Sequence, residues 1–287
     1  MPLSLVLTLT PEDDAPWPRP GGREAQAWFL RQVQALEPDL ADALHAAPGG
    51  RRPYTVSAPM SRDWRLWPGG PPPQAPVYLR ITAFTPALEG LLQNRLLPLW
   101  QGRIGLRLGG KGARVTAVAT TPAEHPWAGS HTFGELVRFG QARREETTVR
   151  LLFASPTAFR SNGVDVPLPQ PEHVLRSWWL AWNAAAPEPF RLDEQWPAFA
   201  AACVLVQRLS GVRTVRWRWH ARKGGGAVGF LGRVDFRLRS PQMKSPWASL
   251  RPGAEAVLHT LAAFSLYAGT GHHTTIGMGQ TKQMSHG

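Results

Sequence analysis

The chain has 287 residues, 43% of them hydrophobic and 18% charged, which excludes a disordered chain and leaves one large domain or two of moderate size. It has no run of about 18 apolar residues, which excludes a membrane-spanning helix. Its 32 Lys and Arg against 20 Asp and Glu give a net charge of +12, and its single cysteine, Cys203, excludes an internal disulfide and a zinc site of paired cysteines.

Leu3 to Leu9 alternates weakly and reads as a first strand; it lacks the basic flank and cleavage site of a signal peptide. Arg23 to Leu36 carries helical spacing and is expected to end at Pro38, with a short turn from Leu40 to His45. Tyr54 to Met60 reads as a strand, Ser61 to Pro76 as a Pro- and Gly-rich loop, and Val77 to Thr85 as a strand. Pro86 to Trp100 reads as a helix with proline in its first turn, and Ile104 to Thr120 as strands around the turn Gly109 to Gly112. The second half repeats this rhythm. Thr147 to Ser155 is a strand, and Pro171 to Ala186 and Phe190 to Leu209 are helices. Val212 to Arg222 and Ala227 to Arg239 form a hairpin around Gly224 to Gly226, followed by a helix, Gly253 to Tyr267, and a last strand, Thr274 to Lys282. Two strand-helix-strand-strand-helix-strand units predict an α+β protein of two tandem ferredoxin-like (RRM-like, βαββαβ) modules, 1–142 and 143–287. The linker is expected near Gly140 to Glu146.

Most of the charge is local. Residues 206–251 hold 11 basic groups and one acid, Asp235. Such concentration suits a polyanion such as nucleic acid. Alternation along the hairpin puts Thr214, Arg216, Arg218, His220 and Arg222 on one face, with Lys223 at the turn; Val215, Trp217 and Trp219 take the other. On the returning strand Arg233, Asp235, Arg237 and Arg239 oppose Val234, Phe236 and Leu238. A cationic ribbon backed by a core suits phosphate tracking; an ordinary solvated strand face is the plainer alternative.

After the last helix comes a loop with glycines at 269, 271, 277 and 279 around His272, His273 and Thr274. Gly269, Gly271, Gly277 and Gly279 would let the backbone approach a phosphodiester and offer it N–H donors. The loop is not a nucleotide P-loop, because the Gly-Lys-Ser/Thr ending is missing.

The run from Gly269 to Gly279 resembles the glycine-rich loop of the RAMP-superfamily endoribonucleases that process CRISPR repeats. Arg150 to Thr157 resembles the strand opening that family's second module, and Val228 to Val234 its glycine-containing hairpin strand. Leu44-His45 followed by Arg52 to Ser57 resembles the segment carrying its histidine. The resemblance implies a fold that grips CRISPR repeat RNA and a metal-independent cut. The 2′-OH attacks the adjacent phosphate, leaving a 2′,3′-cyclic phosphate and a 5′-OH, with no cofactor. It makes His45 the candidate catalytic residue, with Arg51 or Arg52 in the place of a lysine some members carry. Where some members have a tyrosine on the first helix, this chain has Trp28 and Phe29, so Tyr54 is the only tyrosine near. A non-catalytic RAMP subunit holding guide RNA in an interference complex would share the loop and the hairpin, and differs at His45. A homodimer and contacts with other effector subunits stay open. A reducing cytoplasm and no membrane are expected.

Of the remaining histidines, His125 and His131 read as loop or cap residues, and His173 and His259 as packing residues. No His, Asp or Glu grouping has metal-ligand spacing, so no metal is expected. Trp178 and Trp182 read as core, Trp64 and Trp67 as residues able to stack on splayed bases, and Cys203 as a buried small hydrophobe.

Overall fold

The computed structural model describes residues 1–46, 52–67, 70–218, 225–239 and 247–284. The chain forms two compact units, both discontinuous. The first holds Met1–Ser130, Trp217–Ala227 and His273–Met278; the second holds His131–Arg216, Val228–His272 and Gly279–Gly287.

The first unit begins with β1 (Leu3–Pro11), α1 (Gly22–Leu36), α2 (Pro38–Ala46), β2 (Tyr54–Val56) and β3 (Val77–Ala83). A helical stretch follows: α3 (Pro86–Leu91), a π-helical turn (Leu92–Leu96) and α4 (Leu97–Gln101). The hairpin β4 (Gly105–Leu108) and β5 (Lys111–Ala119) and the short β6 (Gly129–Ser130) complete it. The sheet order is β2-β3-β1-β5-β4, with β6 on β1. Without β4 and β6 this is second, third, first, fourth, the ferredoxin-like permutation. The pairs are antiparallel, Leu5 opposite Ile81 and Leu7 opposite Val118. Leu3, Leu5, Leu7 and Leu9 of the central strand meet Trp28, Phe29 and Val33 of α1 in the core. Each such side chain contributes about 1.5–3 kcal/mol on burial. α1 stops at Leu36, ahead of Pro38 as expected, and Pro38 then opens α2: the first turn of a helix leaves its N–H groups unbonded, so proline loses nothing there. The turn expected from Leu40 to His45 is therefore helix.

The second unit runs α5 (Phe133–Gln141), β7 (Thr148–Thr157), the small hairpin β8 (Phe159–Ser161) and β9 (Val164–Val166), α6 (Pro171–Ala185) and α7 (Trp196–Cys203). Then come β10 (Val204–Arg218), β11 (Gly226–Leu238), α8 (Ala254–Ala268) and β12 (Thr281–Gln283). Its sheet order, β10-β11-β7-β12, is again second, third, first, fourth. The expected tandem fold is present. Trp182 packs edge-on to Phe133 and Phe264 at 5.0 and 5.2 Å, and Trp178 and Cys203 are buried as expected.

Several boundaries differ from the sequence reading, and the strand expected from Tyr54 to Met60 stops at Val56. The first unit's main segment ends at Ser130, not 142, because α5 packs on α8. A Cβ at Gly140 would lie 2.2 Å from the carbonyl oxygen of Ala256, so this helix pair needs glycine at that contact. The helix expected from Phe190 to Leu209 is shorter, since Val204 already begins β10. The last strand shrinks to three residues, because Gly277 and Gly279 take φ of 98° and 67°, outside strand geometry. Among the described residues, no helix is long and apolar enough to cross a membrane.

Candidate active site and nucleic-acid interface

His45 sits in the last turn of α2, exposed, while Ala41 and Leu44 of the same helix face the core. Its Nδ1 lies 3.0 Å from the Ala41 carbonyl oxygen. A carbonyl only accepts, so Nδ1 carries the hydrogen. In the neutral ring, Nε2 is then the basic atom.

The chain re-enters the described residues at Arg52; Arg51 lies outside them. Tyr54 opens β2 and is fully buried, its ring 5.3 Å from Phe29. Its hydroxyl accepts from Gln26 Nε2 at 3.2 Å. Burial raises the Tyr54 pKa, opposed by Gln26 and the Arg52 guanidinium. Tyr54, Arg52 and Gln26 therefore form one polar cluster, with the hydroxyl held inside the protein. Gln26 was not singled out from the sequence; its one-turn spacing from Arg23 on α1 was the available signal. Trp28 and Phe29 are core residues, Trp28 lying 5.6 Å from Trp100.

The glycine loop works differently from the sequence expectation. Its amides are committed to the protein rather than offered in a row. In the second unit Thr270 N–H donates to Gly279 O, Gly271 to Ser177 Oγ, His272 to Ala158 O and Gly279 to Pro156 O, at 2.9–3.3 Å. Trp178 Nε1 donates to Thr270 Oγ1 at 2.8 Å. In the first unit Ile276 and Met278 N–H both donate to His273 O. The glycines allow close approach: a Cβ at Gly271 would meet the Ala158 oxygen at 2.2 Å, and one at Gly277 would meet Ala58 N and Trp217 Cζ2 at 2.9 Å. Ser57, beyond β2, pairs with Gly277 in parallel. The loop's exposed side chain is His273; Thr274 and Thr275 are half-buried.

His272 is held on the second unit's side. Its Nε2 lies 3.7 Å from Asp165 Oδ1, and Arg160 binds the same carboxylate at 2.8 Å. Burial lowers the His272 pKa, with Asp165 opposing and Arg160 adding to the shift.

The hairpin has the alternation read from the sequence. Arg216, Arg218, Arg233, Arg237 and Arg239 are exposed; Trp217, Val234, Phe236 and Leu238 are buried. His220, Arg222, Lys223 and Trp219 lie outside the described residues. Asp235 is opposite Arg150 on β7, 3.8 Å from its Nε. On the second unit a 720 Å³ cavity is lined by Arg237, Arg239 and Arg251 with Thr147 and Gln207. Arg251 was missed, because only folding brings it to the hairpin.

Trp64 is not available for base stacking: it is buried, stacked on Trp127 at 5.1 Å and edge-on to His125, with Arg80 near both indoles. His125 is likewise buried. His131 meets the Tyr267 hydroxyl at 2.6 Å, and His259 is buried. Among the described residues, no three His, Cys, Asp or Glu side chains group in a metal-binding arrangement.

Two modules of one strand order, with a glycine-rich stretch between the last helix and the last strand, make a tandem ferredoxin-like fold. Residues 151–281 match the family model described as CRISPR-associated endoribonuclease Cas6. A solved structure titled Cas6 (TTHB231) product complex, a protein of Thermus thermophilus, superposes with a TM-score of 0.77 at 26% identity, over 99% of both chains. A second, the Cas6 (TTHA0078) product complex, gives 0.73 at 26% identity, again over 99% of both. A RAMP protein described as binding different RNA substrates shares the fold at 13% identity, with a TM-score of 0.61. A comparison with curated proteins returns no match. Over residues 151–281 the chain is thus similar to the Cas6 CRISPR-associated endoribonucleases, and over its full length to two solved Cas6 structures.

Proposed function

We propose that this protein cuts CRISPR repeat RNA without a metal ion, by attack of a ribose 2′-OH on the adjacent phosphate, with His45 as the proton-transfer group. The supporting observation is the His45 ring, exposed on α2 with Nδ1 anchored on the Ala41 carbonyl. In that tautomer Nε2 accepts the 2′-OH proton; the protonated ring then serves as an acid for the 5′-oxygen. Guanidinium groups suit the charge that builds on the pentacoordinate phosphate. Arg52, beside Tyr54, is the described cation nearest in sequence to His45. Arg51, adjacent in sequence, is its partner in this reading, and Tyr54 acts through Arg52 rather than on the phosphate.

RNA is held by the exposed arginines of β10 and β11, with His220, Arg222 and Lys223, which lie between these strands in sequence. His272, His273 and Thr274 of the glycine loop add contacts, while Gly269, Gly271, Gly277 and Gly279 fix the loop's path. Only RNA serves, because DNA lacks the nucleophile.

The test is cleavage of the cognate repeat RNA in EDTA, with one 2′-deoxy position substituted at a time and His45→Ala alongside. A single cut that requires one 2′-OH, survives EDTA and fails in His45→Ala is expected. Tight binding with no cut by the native protein would instead indicate a guide-holding role. A cut that persists in His45→Ala would move proton transfer to His272 or His273.

A further inference from the structure

The second unit contains a cavity that neither the hairpin nor the glycine loop explains. It measures 380 Å³ and lies among α5, α8 and β12. That is near the lower end of the roughly 300–1,000 Å³ of small-molecule sites, a size that suits one nucleotide. Its walls include Leu136 and Phe139 of α5 and Leu266 of α8, half-buried or buried apolar groups. Two cations, Arg143 and Lys282, and one carboxylate, Glu146, line it as well, with Arg143 Nε 3.9 Å from Glu146 Oε1. The Arg143 guanidinium lies over the Phe139 ring, 3.7 Å from its centroid, a fixed platform of the kind on which bases stack.

The polar lining has a defined direction. His259 Nε2 meets the Glu146 carbonyl oxygen at 2.9 Å, and a carbonyl only accepts, so Nε2 carries the hydrogen. His259 Nδ1 is then an acceptor in the neutral ring, and Gln283 Nε2 donates to it at 2.9 Å. This orients the Gln283 amide. Its Oε1, buried, has no hydrogen-bond partner among the described residues. A buried acceptor without a donor is uncommon and points to a ligand N–H. Every nucleobase carries one, on an exocyclic amine or an imide, and a phosphate would meet the cations.

We infer that this cavity binds one nucleotide, its base against Phe139 and Leu266 with an N–H on Gln283, and its phosphate on Arg143 and Lys282. The site goes beyond repeat cleavage, because its residues belong to neither the His45 segment nor the hairpin. The nucleotide comes either from a residue of bound RNA or from a free nucleoside monophosphate.

The test uses the full-length protein. AMP, CMP, GMP and UMP are titrated at millimolar concentration, with ribose 5-phosphate as the control without a base, and the His131 ring is followed by NMR. In parallel, RNA carrying 4-thiouridine is cross-linked and the labelled peptides are mapped. At least one monophosphate should shift His131 and bind about tenfold or more tighter than ribose 5-phosphate. Arg143→Gln should weaken it about tenfold, and Ala263→Phe, which fills the cavity, should abolish it. A urea midpoint on each variant checks folding, and Arg143→Gln keeps the test valid if Ala263→Phe is unstable. Cross-links on α5 or α8 that disappear in Ala263→Phe assign the nucleotide to bound RNA; monophosphate binding without them assigns it to the free pool. Equal binding of ribose 5-phosphate, or neither binding nor cross-links, overturns the site. His45→Ala should bind the monophosphate unchanged, so failure of the cleavage proposal would leave this result standing.

Discussion

Gly22, the first residue of α1, faces Ile276 of the glycine loop so closely that a Cβ on it would lie 2.0 Å from the Ile276 carbonyl oxygen. The obstacle is backbone, which cannot rotate away. Gly22→Ala must therefore push the loop off the helix, at the roughly 1–3 kcal/mol typical of overpacking. A fall in the urea midpoint of that size is expected, with weaker RNA cleavage. Gly110→Ala, with nothing among the described residues within 4 Å of its Cβ, is the control and should change stability by only tenths of a kcal/mol. Equal stability of the two variants would show that the loop does not rest on α1.

This contact also shows what the sequence made legible. Period-two alternation is local, so the exposed Arg216 beside the buried Trp217 could be read directly. The same holds for both module patterns. The glycine loop was legible as a loop, but not in its bonding, because Ala158, Ser177 and Pro156 lie about a hundred residues away along the chain. The burial of Trp64 could not be read for the same reason: the rings that enclose it, His125 and Trp127, come from a distant connection. His45 itself drew attention only through resemblance; nothing in its immediate spacing distinguishes it from a surface histidine.

Removing the His45 ring should leave RNA binding nearly intact and slow the cut by about 10²–10⁴-fold, the usual contribution of a positioned acid or base. Single-turnover cleavage with saturating protein separates the two quantities. A loss of affinity matching the loss of rate would make His45 a binding residue instead.

Charge reversal on the hairpin should act on affinity alone. Arg237 is exposed and lines the basic cavity with Arg239 and Arg251. Arg237→Glu should weaken RNA binding and flatten the slope of log K against log salt by about one unit for each phosphate left without its cation. Arg144→Glu, at a highly exposed position paired with Glu145, is the charge-matched control. If both variants bind RNA with the same reduced affinity and the same slope, the sheet face contributes only general charge.

His272 gives a pH prediction. Burial holds its pKa below the ordinary 6.5, with Asp165 opposing. The unfolded chain then binds a proton near pH 6.5 that the folded protein takes up only at lower pH, so stability should decline as pH falls below about 6.5. His272→Gln should flatten that decline, read as urea midpoints between pH 7.5 and about 5. Asp165→Asn removes the charge that favours the protonated ring and should move the His272 NMR titration to still lower pH. A titration that moves upward in Asp165→Asn would mean that the carboxylate does not face the ring in solution.

The Tyr54 hydroxyl distinguishes support from chemistry. It is buried, accepts from Gln26 and lies beside Arg52. Tyr54→Phe removes the acceptor without changing the ring's packing on Phe29, and should cost about 1 kcal/mol of stability, the usual size of one such hydrogen bond. Cleavage should slow by only a few-fold, since the hydroxyl reaches the phosphate only through Arg52, whereas Arg52→Ala should slow it more. A rate loss in Tyr54→Phe as large as that of His45→Ala would assign the hydroxyl a direct part in proton transfer, and would require the segment carrying it to open when RNA binds.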